Sequence, residues 1–393
     1  MKKRSIILLF CTTLFIGFFF QTQFVVAEEV ESEFSTVVEE QIDAIDGEEL
    51  DKLLQSLTEE QRKIFGGKDC KELIKSIAKG EFSIQFSDLG NLIVYTLKNN
   101  FTKFLSLAAT IIAIAIITSI INATKSDFLN QGIGDIVFYA GYGLILTLVI
   151  VCVAESVRSS IETITGFQGQ MATFIPIMLV LLGGAGGELS ASVFSPICAF
   201  LSTGIIGVFL QIAIPILYAM ISLCVFGNLS TSIKTKSLFS LFGNVVKWII
   251  GTSLAVYSLV VGLQGVSSGI HDGISYKLLK YTVGNSIPIV GGTIKEGVDI
   301  LLASSITVKN AVGYFAILLL LGSAIGSVLQ ILALSWVIKA SASVLPPLGE
   351  DRICNFLGEI SSVLQYIIAI VAASAFLYVI TIFALIGASS SLL

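Results

Sequence analysis

The sequence predicts an all-α, polytopic membrane protein, with a small helical domain ahead of the membrane part and two segments interrupted by proline and glycine. Three observations carry this. Of 393 residues, 54% are hydrophobic and only 13% charged, about half the charged share of a soluble domain, so much of the surface must face hydrocarbon rather than water. Several stretches of about 20 uncharged residues recur, each long enough to cross some 30 Å of hydrocarbon. Where the chain is polar, its apolar residues repeat with helical rather than strand spacing.

Residues 1–27 read as a secretory signal peptide. Lys2, Lys3 and Arg4 form a charged start, Ile6 to Phe20 an apolar stretch, and Val25-Val26-Ala27 a small-residue cleavage site, with cleavage expected after Ala27. An uncleaved first membrane anchor is the alternative. Cys11 lacks the small residues before it that a lipid-attachment signal shows.

Residues 28–100 form the expected acidic, extracytoplasmic helical domain. Between Glu28 and Asp69, fourteen acidic residues face four basic ones, a balance of −10 against −5 for the whole chain; the acidity therefore belongs to this segment. Leu50, Leu53, Leu54 and Leu57 follow the i, i+3, i+4, i+7 rule, and Leu73, Ile74, Ile77 and Ala78 repeat it. Thr58 and Gln61 have the spacing of a capping box. Stripes this narrow make a marginal core, so the domain is expected to pack on a partner or on the membrane surface. A solvated acidic spacer is the other reading.

Residues 101–393 form the multi-span membrane domain. The apolar stretches are about 101–122, 134–154, 193–226, 244–266, 311–338 and 363–387. A charge at the centre of a span costs roughly 2.5–3.5 kcal/mol, and the charges accordingly gather between the stretches. Residues 171–187 hold Pro176 early and Gly183-Gly184-Ala185-Gly186-Gly187 late, then Glu188. About 17 residues give roughly 26 Å of helix, short for a crossing, so a re-entrant or broken helix inside the bundle is preferred to a full span. Ser286 to Ala303 looks similar, with Pro288, Gly291 and Gly292 ahead of Lys295, Glu296 and Asp299. Residues 193–226 are too long for one upright helix, and Pro196 and Pro215 are the expected kinks.

A weak duplication links these segments. Ile175-Pro176-Ile177 and Ala191-Ser192 recur 112 positions later as Ile287-Pro288-Ile289 and Ala303-Ser304, which suggests an internal repeat of about 136–226 and 248–338; paired interrupted segments mark the central site of repeat-built transporters. With the start exported, Lys234, Lys236, Lys247, Lys339 and Arg352 fall on the cytoplasmic side, as the positive-inside rule asks. Lys277, Lys280, Lys295 and Lys309 then lie outside, partly balanced by Asp272, Glu296 and Asp299.

Catalytic, cofactor and metal sites are not expected. His271 stands beside Asp272, but neighbours on a helix point apart, and a surface-loop histidine is the plainer reading. No GxxxxGK[ST] phosphate loop or zinc-protease helix occurs. Six cysteines make no metal spacing and no disulfide framework: Cys70 alone falls in the outer domain, Cys152, Cys198 and Cys224 lie in or beside apolar runs, and Cys354 falls in a polar loop. Gly322 and Gly326 form a GxxxG face that lets two helices approach closely. Glu188, Gln211, Gln264 and Asn228 lie in or near apolar runs and should face protein or water; of these Glu188 is the functional candidate, or else a helix end at the interface.

The block His271-Asp272-Gly273-Ile274-Ser275, continuing through Lys277, Lys280-Tyr281 and Ser286-Ile287-Pro288-Ile289-Val290-Gly291-Gly292 to Leu301 and Lys309-Asn310-Ala311-Val312-Gly313, resembles the stage III sporulation protein AE family. Supporting pieces are Lys79-Gly80-Glu81-Phe82, the region from Ile175-Pro176 to Pro196, and Pro346-Pro347-Leu348. The resemblance implies a component of the assembly that joins mother cell and forespore, held in the mother-cell membrane around the forespore. It implies as partners the other proteins of the same sporulation complex and a forespore protein across the intermembrane space. No catalytic residues transfer with it. A channel-complex subunit is therefore the leading expectation, with no cofactor and no nucleic acid among its partners, only proteins and the lipid bilayer. The alternatives are a self-contained secondary transporter with a substrate site between the repeats, and an intramembrane enzyme using Glu188 or the His271/Asp272 pair.

Overall fold

The computed structural model describes residues 28–62, 65–82, 86–123, 131–229, 235–286, 291–346 and 351–388, with backbone alone at 28–32, 60, 86–89, 122–123, 131–135, 138, 202–203, 263–286 and 291–296. The signal segment, Pro288, and the side chains of Gln264, His271, Asp272, Lys277, Lys280, Lys295 and Glu296 lie outside the described residues, as does the 347–348 part of the Pro-Pro-Leu block. The described residues are predominantly helical, with no strand among them. Helices α1 (Glu28–Asp43), α2 (Gly47–Gln55), α3 (Glu59–Arg62) and α4 (Cys70–Ala78) are short. Then come α5 (Phe86–Ala123), α6 (Gln131–Gly184), α7 (Glu188–Ala199), α8 (Ile214–Leu229), α9 (Lys236–Ser286), α10 (Gly291–Val344) and α11 (Asp351–Gly387). Six helical stretches are long and apolar enough to cross a bilayer: Gly90–Ile121, Tyr139–Gly184, Ile206–Leu229, Lys236–Gly262, Gly297–Val344 and Asp351–Gly387. This is a multi-pass membrane protein.

The interruption expected over 171–187 sits at the glycines and not at the proline. α6 runs unbroken through Pro176 for 54 residues, about 81 Å. Pro176 is exposed, so the carbonyl it leaves without a donor is at the helix surface and the ladder resumes beyond it. The stop is a Schellman turn: Gly187 N–H donates to the Leu182 carbonyl and Gly186 N–H to the Gly183 carbonyl, both at 2.9 Å, with Gly186 at φ +82°. α7 then doubles back onto α6. Over 193–226 the irregularity is a pair of π turns, Phe200–Ile205 and Phe209–Ala213, flanking a short α turn at Ile206–Val208. The second directly precedes Pro215, whose missing N–H frees a carbonyl one turn back. α5 shows no break near residue 100.

α10 and α11 form the centre and pack along each other, with α6, α5 and α9 around them. Contacts fix the register. α6 runs antiparallel to α10, with Phe174 edge-on to Phe315 at 5.8 Å, Gln170 Nε2 donating to Ser323 Oγ at 3.3 Å and Thr163 Oγ1 bonded to Ser327 Oγ at 2.5 Å. α10 runs antiparallel to α11, with Lys309 reaching Leu385 and Ser335 reaching Ser361. α9 lies beside α11, with Tyr257 bonded to Thr381 at 2.7 Å. The cysteines other than Cys11, which is outside the described residues, are free thiols. Cys354 lies in the first turn of α11 and not in a loop, because that helix already begins at Asp351.

Candidate functional site

The candidate site is the junction where the polar helices α1–α4 seat on α10. Its central residue is Gln61. The capping box forms: Thr58 N–H donates to Gln61 Oε1 at 2.8 Å, and Gln61 N–H donates to Thr58 Oγ1 at 3.4 Å. Held in that geometry, Gln61 Nε2 donates to the Gly322 carbonyl at 2.7 Å. The GxxxG face therefore receives a side-chain amide instead of another transmembrane helix. A Cβ added at Gly326 would lie 2.7 Å from Gln61 Nε2, and one at Gly322 3.8 Å from Leu57 and Phe65. Phe65, buried, meets Phe315 edge-on with ring centroids 6.2 Å apart. One end of the junction is closed by Gln41, whose Nε2 donates to Ser304 Oγ and Ser305 Oγ at 3.1 Å each.

Ser305 also touches the end of α6, where a Cβ at Gly184 would lie 3.6 Å from its hydroxyl. Gly186 stands as near to Leu302, while Gly187 approaches its own helix so closely that a Cβ would meet Leu182 Cδ1 at 2.8 Å and the Leu182 carbonyl at 3.0 Å. Gly183 faces open space. Glu188 is exposed in the first turn of α7, where its charge complements the helix dipole; this places it at a helix end and not in a buried site. Gly291 and Gly292 open α10, more than a helical turn from the described contacts.

One turn beyond Ser305, Lys309 is fully buried and its Nζ donates to the Leu385 and Ile386 carbonyls at 2.8 and 3.1 Å. A lysine amine thus caps the C-terminal carbonyls of α11. Gly313 permits the crossing of three helices, since a Cβ there would meet Ile386 at 2.8 Å and Met178 at 2.9 Å. Buried oxygens of Gln41, Gln170 and Asn310 in this region have no partner among the described residues.

At the other end of the bundle Asn228 Nδ2 donates to Glu359 Oε2 at 2.8 Å and to the Cys224 carbonyl at 2.9 Å, which ties α8 to α11. Gln211 is exposed within the second π turn. On the polar side, Lys79 and Glu39 pair at 2.7 Å and Lys75 and Asp43 at 2.9 Å, joining α4 to α1. The hydrogen bond and charge of Lys79 hold the Glu39 carboxyl below its ordinary value and raise Lys79 in turn. Burial, then Asp51, pushes the Cys70 thiol up, so it is inert. Among the described residues no group of His, Cys, Asp and Glu is arranged to hold a metal ion.

Sequence reasoning found Gly322, Gly326 and the Thr58/Gln61 cap but did not join them. It missed Gln41, Lys309 as a cap, Gly313 and Glu359. The signal for Lys309 was present, as a lone charge facing an uncharged run.

Comparison with known proteins follows this geometry. A family model described as Stage III sporulation protein AE matches residues 68–389, from just before α4 to the end of α11. A protein of Bacillus subtilis (strain 168) described as Stage III sporulation protein AE is 25% identical over 285 residues, 72% of this chain and 71% of that protein. No solved structure matches.

Proposed function

Since the chain belongs to the stage III sporulation protein AE family and so has a role in sporulation, we propose that it is the membrane subunit of a channel or secretion-like complex connecting mother cell and forespore. In this reading residues 1–27 are a signal peptide, 28–100 an extracytoplasmic acidic domain, and 101–393 the membrane domain, with repeats at 136–226 and 248–338, in the mother-cell membrane around the forespore. The chain catalyses nothing itself. Its partners are other proteins of the complex and a forespore protein across the intermembrane space.

One observation supports this most: α1–α4 are tied to α10 by Gln41, Gln61 and Phe65 while Glu33, Glu40, Asp46, Glu48 and Glu49 stay exposed. An acidic surface held rigidly on a membrane bundle is suited to protein partners and presents no reaction chemistry. A self-contained transporter is the second reading, favoured by the buried polar contacts Gln170–Ser323 and Thr163–Ser327 between α6 and α10. Affinity purification from sporulating cells in mild detergent separates the two. Co-purification of other sporulation proteins is expected; a lone chain that moves solute into liposomes would establish the transporter instead.

A further inference from the structure

We infer that the outward row running from the π turns into α8, made by Gly207, Gln211, Pro215, Tyr218 and Ser222, is an interface at which two copies of this chain meet, Gln211 against Gln211. The row exists because of the π turns. On the inward side Leu201, Ile205, Phe209, Ala213 and Leu217 are buried and recur every four residues, a spacing that drifts off one face of an α-helix with 3.6 residues per turn. The wider turns at Phe200–Ile205 and Phe209–Ala213 keep these residues on the core. They keep the opposite side straight as well, so Gly207, Gln211 and Pro215, also four apart, stand in one line facing away from the bundle. Gln211, Pro215, Tyr218 and Ser222 are exposed, and a Cβ at Gly207 would have nothing within 4 Å.

Gln211 is the residue that demands a partner. The nearest charges on either side of it in the sequence are Glu188 and Lys234, each 23 positions away, and it falls within the Ile206–Leu229 span. A crossing of about 20 residues centred in that uncharged run has Gln211 at its middle. Of the two side-chain amides in the run, Asn228 is buried and bonded to Glu359. Gln211 is exposed, and its amide has no hydrogen bond among the described residues. An amide turned to hydrocarbon without a partner is costly, which is why amides within spans bond across to another helix. Gly207, one turn away, lets the backbone of that helix come close.

The helix that fits is the same segment of a second copy. Copies in one membrane share depth and orientation, so a twofold axis along the membrane normal sets each residue of the row opposite itself. A charge there would repel its own image, and the row carries none. A carboxamide is instead complementary to itself, because it holds a donor and an acceptor side by side. Nε2 of each Gln211 donates to Oε1 of the other, and both amides are satisfied in the dry interior of the membrane.

The test uses the full chain in membranes, with two tags on co-expressed copies. Wild type is expected to capture itself. Gln211→Leu keeps the span apolar and has no internal bond to lose, so its thermal midpoint in detergent should hold while self-capture falls about tenfold, roughly 1.4 kcal/mol. Gln211→Asn, which keeps the amide, should retain most of the capture. With the native cysteines replaced by alanine, Gln211→Cys should give a disulfide dimer on mild oxidation, while Leu105→Cys, exposed on α5, stays monomeric. Absence of self-capture in wild type, undiminished capture in Gln211→Leu, or equal cross-linking from α5 would each overturn the interface. So would a Gln211→Cys that joins a different protein and not its own copy.

Discussion

Gly183 and Gly186 sit three positions apart in one glycine run, and only the second is required by the backbone. Gly186 has φ +82° and closes α6; a side chain in that conformation costs about 1–2 kcal/mol. Gly183 is helical with open space beside it. Gly186→Ala should therefore lower the thermal unfolding midpoint in detergent, and Gly183→Ala should hold or raise it. A second residue-scale expectation concerns Glu39 and Lys79. The Glu39 carboxyl is depressed from 4.5, so its contribution is present above that value and is lost as pH falls through the lower folded value. Lys79 is raised from 10.5, so its share is present below that value and is lost as pH rises through the raised one. Hydrogen exchange in α1 should accelerate at both extremes, weakly because the pair is exposed and screened by salt; in Lys79→Met the acid limb should flatten.

At the scale of elements, α1–α4 gain their order from α10. Their own apolar stripes bury Leu50, Leu57, Leu73 and Ile74 completely or nearly so, but part of that burial is supplied by the membrane helix through Phe315 and Gly322. Gly326→Leu drives a side chain into the Gln61 amide and removes the seat. The expected result is rapid proteolysis within residues 28–82 with the membrane helices intact, and Gln61→Ala should give a milder form of it, the loss of one hydrogen bond at about 1 kcal/mol. Unchanged protease resistance in Gly326→Leu would mean the seat is not what orders these helices. Pro176→Ala, by contrast, should leave the fold as it is, since α6 already passes through that position.

Across the whole molecule, the helical class and the uncharged spans were legible because lipid permits so few charges that periodicity and length suffice. The end of α6 was legible in type, as a glycine-rich stop, and not in position. Proline and glycine alike lower helix propensity, so composition marked the stretch from Pro176 to Gly187 as a whole, whereas the positive φ that ends the helix depends on which glycine falls at the position after the cap. Gly322 and Gly326 were legible as a close-approach face, but the element that approaches lies more than 250 residues earlier (Gln61 against Gly322), a distance that local pattern does not encode. The account's central claim is that an acidic layer faces outward while seated on the membrane bundle. Its most direct test is labelling by a membrane-impermeant thiol reagent in intact vegetative cells that express the chain in their cell membrane, comparing Glu49→Cys, exposed on α2, with Gln61→Cys at the seat. The account predicts rapid labelling at Glu49→Cys without permeabilisation and protection at position 61. Labelling of Glu49→Cys only after the membrane is opened would contradict it.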